Sequence, residues 1–190
     1  MLYRKDNEDK MNMINRCFFD AEHGLLTLSL ERLKGLHQDF QSDPQVEYAE
    51  ALIRKDFLGQ GLEAEKMFLK AQADATNRSH SNENYLFSTF NAAKHARDEE
   101  EFRRQSQVAL SLAPHDPDVH FFHSILNQLD QGIPYTSILV DAVSVYQANH
   151  KWGACASFAE IALQAGDLSL DDELALRQAR MTSLRELDKA

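Results

Sequence analysis

The sequence predicts an all-α chain of about five antiparallel helical hairpins. Turn signals come in two interleaved series, each recurring about every 35 residues, which is the spacing of a two-helix repeat. One series is Gly24, Gly59-Gln60-Gly61, Arg97-Asp98, Gly132 with Pro134, and Gly166-Asp167. The other is Ser42-Asp43-Pro44, Arg78-Ser79-His80-Ser81, Pro114-His115-Asp116-Pro117 and Asn149-His150, offset by half a period. The segments between turns carry apolar residues at helical spacing. Finally, 190 residues hold only 7 Gly and 4 Pro, with no stretch of alternating Val, Ile and Thr. That is too little punctuation for many tight β turns.

The helices follow in chain order. Segments 6–22 and 25–40 flank Gly24 and make the first hairpin, in unit 6–43. Helices 44–58 and 61–76 fill unit 44–79; the Asp43-Pro44 pair fits an N-cap with proline at the first helical position. Helices 82–96 and 98–113 fill unit 80–116. The second opens on the acidic run Asp98 to Glu101, which suits a helix N-terminus, and closes before Pro114. Helices 117–130 and 134–148 fill unit 117–150, again started by an Asp-Pro pair, Asp116-Pro117. Helices 151–165 and 169–187 fill unit 151–190. Ser169 with Asp172 reads as a capping box. Leu170, Leu174, Met181 and Leu184 then form one apolar face, interrupted by Arg177 and Gln178. A non-repeat helical bundle is the alternative architecture for the same elements.

Certain residues carry a family likeness. Ala64, Phe68 and Ala71 have an Ala-x3-aromatic-x2-Ala spacing on the second helix of a hairpin. Phe102, Ser106, Ala109 and Pro114 repeat that spacing, with the aromatic moved to the first place. Trp152 with small Cys155 and Ala156 matches a Trp-x2-small-small start. On these residues the chain resembles the tetratricopeptide repeat (TPR) family. The resemblance implies a right-handed superhelix of stacked hairpins, with divergent terminal units. It also implies that first helices line a concave groove for an extended peptide.

Composition narrows the function. Hydrophobic residues make up 43% and charged residues 26%, the globular range. With 20 Lys+Arg against 30 Asp+Glu, the net charge is −10, which argues against a nucleic-acid partner. The N-terminal run Met1 to Lys10 lacks the apolar core of a signal peptide. The most apolar stretch, Trp152 to Leu163, is well short of the roughly 20 residues that span a bilayer. The expectation is therefore a cytoplasmic protein with no membrane partner. Cys17 and Cys155 read as reduced, buried thiols, not as a disulfide framework.

No phosphate-cradling glycine loop, nucleophile elbow, His-Glu-x-x-His or Cys-x-x-Cys is present, so no enzyme activity, cofactor or metal is expected. His120 and His123 share a helix face near Asp116 and would be the place for a metal; a solvated first turn is the expectation. The pairs Phe18-Phe19 and Phe121-Phe122 are expected in the core. As the self-association alternative, Met11, Met13, Ile14, Phe18 and Phe19 offer an apolar patch on a terminal hairpin, the place for a homo-oligomer interface.

Equivalent positions of the three central units form columns. Glu47, Asn84 and His120 make one; Arg54, Asn91 and Asn127 make another; small Ala51, Ser88 and Ser124 lie between. Asn offers a donor and an acceptor and can pair with an extended peptide unit. Lys94 and His95, one turn beyond Asn91, are expected to add positive charge for an acidic end. The candidate groove is therefore Glu47, Arg54, Asn84, Ser88, Asn91, Lys94, His120, Ser124 and Asn127. The expected function is a non-enzymatic adaptor, scaffold or chaperone for a protein or peptide partner. A self-associating module and a type III secretion-type chaperone are the alternatives.

Overall fold

A computed structural model describes residues 2–77 and 82–189. Among them lie ten helices and no strand: α1 (Leu2–Glu22), α2 (Leu26–Asp39), α3 (Pro44–Leu58), α4 (Gly61–Asn77), α5 (Asn82–Lys94), α6 (Glu99–Leu112), α7 (Pro117–Asp130), α8 (Tyr135–Ala148), α9 (Trp152–Ala162) and α10 (Leu170–Leu187). The chain is all-α, and each expected helix is found. The bounds differ by a few residues, most at the start of α1 and the end of α9. The expected turn at Arg78–Ser81 lies outside the described residues.

The helix starts have local causes. Asp43 Oδ1 accepts from the amides of Gln45 and Val46 at 3.0 and 3.3 Å, and Pro44 opens α3. Asp98 Oδ1 accepts from the Glu101 amide at 2.8 Å at the head of α6. Ser169 Oγ accepts from the Asp172 amide at 3.1 Å, and its hydroxyl donates to the Asp172 carboxylate at 2.6 Å.

Among the described residues, three buried clusters form the interior. One joins α1, α2 and α3 around Ile14, Cys17, Leu33 and Ile53. A small one joins α3, α4 and α5 around Ala51, Phe68 and Ala92. The largest draws on α5 to α10, with Phe90, Phe102, Phe122, Tyr135, Phe158 and Leu176 among its members. Both cysteines are free and buried, and burial pushes the Cys17 thiol up to about 11.

The neighbour pattern departs from a linear stack at two places: α7 and α8 do not pack on each other along their lengths, and α9 reaches back to the second hairpin. In a stack, each hairpin touches only the hairpins next to it in sequence. Here α9, from the fifth hairpin, packs on α3 and α4 of the second as well as on α8 and α10. Gly153, Cys155, Ala156, Ser157 and Ala159 present little bulk and let the backbones meet. A Cβ on Gly153 would stand 1.8 Å from the Asp56 carbonyl oxygen, and one on Gly61 2.1 Å from that of Ser157. Gly59 closes α3 in the left-handed region at φ 63°, where glycine is unstrained. Polar bonds fix the seat. Ser157 Oγ donates to the Lys55 carbonyl at 2.9 Å. Glu160 accepts from the Leu62 amide at 3.1 Å, so it caps α4 from 98 residues away, and it binds Arg180 at 2.7 Å. The pairs α1–α2, α3–α4, α5–α6 and α9–α10 pack as hairpins and α7–α8 does not, while the α9 seat belongs to a bundle.

Helix α10 reverses an expectation. Leu170, Leu174 and Met181 are 71%, 57% and 55% exposed, while Leu176, Ala179 and Ser183 face inward. Three of the four residues of the expected face thus point away from the core, while Leu184 is half-buried beside Gly59. The inward seam of Leu176, Ala179 and Ser183 is narrow because α9 lies so close.

Candidate functional site

Helices α7 and α8 diverge. α7 rests on α6, and α8 on α9 and α10, so the two do not pack along their lengths. Between them opens a trough of about 460 Å³. Its floor is aromatic: Phe102, Tyr135 and Phe158. Its rim carries Phe121 and Val145, which are 49% and 59% exposed. Lys94, Ser124 and Asp141 supply polarity along its edge. This is a chiefly apolar concavity with a few polar groups, the usual composition of a binding cleft.

The floor is held rigidly. Tyr135 Oη donates to the Ala96 carbonyl at 2.8 Å, and burial pushes its acidity far down. The Phe158 ring lies between His95 and Tyr146, with centroids 4.8 and 4.9 Å away. His95 is itself buried, with Nδ1 2.8 Å from the Asn91 carbonyl oxygen. Its Nε2 has no hydrogen-bond partner among the described residues. Burial first, then the charges of Lys55 and Lys94, hold its pKa down to about 3, so the ring is neutral and does not supply the positive charge expected of it.

The expected columns divide. Lys94 and Ser124 line the trough. Asn127 and His120 are exposed on α7. Asn91 is half-buried, and its amide donates to Tyr48 Oη at 3.1 Å and to the Phe87 carbonyl at 3.0 Å, tying α5 to α3. Arg54 is drawn into a chain of contacts with Glu50 at 2.5 Å and Gln60 at 2.8 Å, and Glu50 also takes His37 at 2.6 Å.

Two members must be corrected. Glu47 is fully buried, with Lys70 Nζ of α4 at 2.6 Å, and Ser88, on α5, is fully buried too. Neither reaches an open groove, because both lie where α3 and α5 pack on neighbouring helices. Burial raises the Glu47 carboxyl above the usual range against the opposing pull of Lys70. The side chain of Asn84 lies outside the described residues.

The aromatic pairs also divide. Phe122 is in the core, yet Phe121 stands on the trough rim and Phe19 is exposed. Adjacent helical residues point about 100° apart, so both cannot face one interior. Of the expected terminal patch, Met11 and Phe19 are exposed and Ile14 is buried. His120 and His123 are both exposed, and among the described residues no group of three or more potential ligands could hold a metal ion. Among those residues no helix is long and apolar enough to cross a membrane.

The trough-forming residues on α8 escaped the column argument. A usable signal was present: Ile138, Leu139, Val140, Val143, Val145 and Tyr146 cover more of the helix circumference than one neighbour can bury. Comparison with protein-family models, curated proteins and solved structures finds no match for this chain.

Proposed function

We propose that this protein is a non-enzymatic interaction module, an adaptor, scaffold or chaperone, whose docking site is the trough between α7 and α8. The supporting observation is that cavity of about 460 Å³, aromatic at its floor and rimmed by exposed Phe121 and Val145. It suits an apolar anchor residue of a partner segment, with Lys94 and Ser124 as polar contacts at the side. The groove expected from repeat architecture thus narrows to the part where α5, α7 and α8 meet. A TPR-like right-handed superhelix remains the proposed setting for its hairpins, modified by the α9 seat.

A displayed peptide library selected on the purified protein tests this reading. Amphipathic segments with an aromatic or branched apolar anchor are expected to be enriched. Val145→Arg should weaken the selected peptides by about tenfold or more while shifting stability within about 0.5 kcal/mol, as surface substitutions do. No enrichment, or peptides that bind the Val145→Arg protein equally well, would overturn it.

A further inference from the structure

The outer face of α10 is built like half of a helix pair. Leu170, Leu174 and Met181 form an exposed ladder along it, with Arg177 and Gln178 between them. Apolar residues spaced by four and seven positions make a seam of the kind that packs on another helix. Charge divides along the same helix. Its first turn carries Asp171, Asp172 and Glu173, and its last turn carries Arg185. Asp172 is held by Ser169 and Glu173 by Arg177 at 2.6 Å. Asp171 and Arg185 are exposed and make no ion pair with any described residue.

This arrangement is self-complementary in one orientation. A twofold axis between positions 177 and 178 sets Leu174 of one copy against Met181 of the other. It sets Leu170 against the stem of Arg185 and brings each Asp171 to the partner's Arg185. A parallel pairing would instead bring like charges together at both ends. We infer that the exposed face of α10 is a homodimer interface, in which two copies of this chain pair antiparallel through Leu170, Leu174 and Met181. One helix pair is a small interface, so the dimer forms with a dissociation constant of about micromolar order and exchanges readily. The α7–α8 trough takes no part in it.

Sedimentation of the full chain over a concentration series tests the pairing. The wild type should move from 21.7 kDa toward twice that mass. Leu174→Glu with Met181→Glu should stay monomeric, with unchanged helix content. Asp171→Arg alone and Arg185→Asp alone should each weaken association, and the two together should restore it; that rescue would not arise from misfolding. Orientation is read by oxidation, since Cys17 and Cys155 are buried. Gln178→Cys, beside the axis, should cross-link to its own copy, whereas Leu170→Cys should not. A wild type that is monomeric throughout overturns the proposal and leaves the ladder to a different protein. A dimer indifferent to the Leu174/Met181 change also overturns it and points to the α1–α2 face or the trough. Self-cross-linking of Leu170→Cys would overturn the antiparallel arrangement.

Discussion

His95 links the trough floor to solution pH. Folded, its imidazole is neutral, with a pKa held to about 3; unfolded, it titrates near 6.5. Between those values the unfolded chain carries a proton that the folded chain refuses. Stability therefore rises with pH across this window and is lost on acidification, by at most about 1.4 kcal/mol per pH unit. Glu47 acts with the opposite sign: its raised carboxyl pKa favours the fold below the ordinary value of 4.5, and that contribution fades as pH rises through the folded value. A His95→Phe substitution isolates the first effect. Urea unfolding at pH 7 and pH 5 should show a larger loss for the wild type than for the variant; equal losses would mean that the ring is not the proton-sensitive group.

At the scale of elements, α9 is the helix whose sequence most directly explains its place. It is apolar around its circumference, as a helix buried on all sides must be. Its small residues meet the turn between α3 and α4. Gly153→Ala or Gly61→Ala should cost about 3 kcal/mol, since each new Cβ meets backbone oxygen that cannot yield. Gly35→Ala, inside α2 with nothing within 4 Å, should instead add about 0.5–1 kcal/mol. Thermal melts of the three variants check both signs. The contrast also marks what was legible. Turns, caps and helix order could be read because Asp43, Asp98 and Ser169 act within three residues of themselves. The destination of a face could not. The α10 ladder has core-like periodicity yet lies outside, because periodicity identifies a stripe and not which side of it is covered. Gly59 and Gly61 read locally as turn residues, and Gly153 carried no local signal; in the fold each lies against residues about a hundred positions away. In the site, Ser124 was found by column and Lys94 by its place one turn beyond Asn91, but Val145 and Phe121 required the divergence of α7 from α8, a matter of angle between elements.

For the whole molecule, the contact of α9 with α3 and α4 alters how the parts depend on one another. In a linear array, removing the terminal hairpin leaves the rest folded, with one interface exposed. Here removal of residues 151–190 strips the cover from the second hairpin and takes Phe158, Ile161 and Leu176 from the largest buried cluster. The shortened chain should lose cooperative melting and bind a hydrophobic dye; a sharp transition with native-like helix content would show that the hairpins are independent after all. The same contact has a consequence during synthesis. The amide of Leu62 leaves the ribosome 98 residues ahead of the Glu160 that caps it. At the usual pace of translation, that is an interval of about 5–20 seconds. Throughout it, the turn at Gly59 to Gly61 waits with its groove empty, so this part of the fold must form late, whatever the speed of the helices themselves.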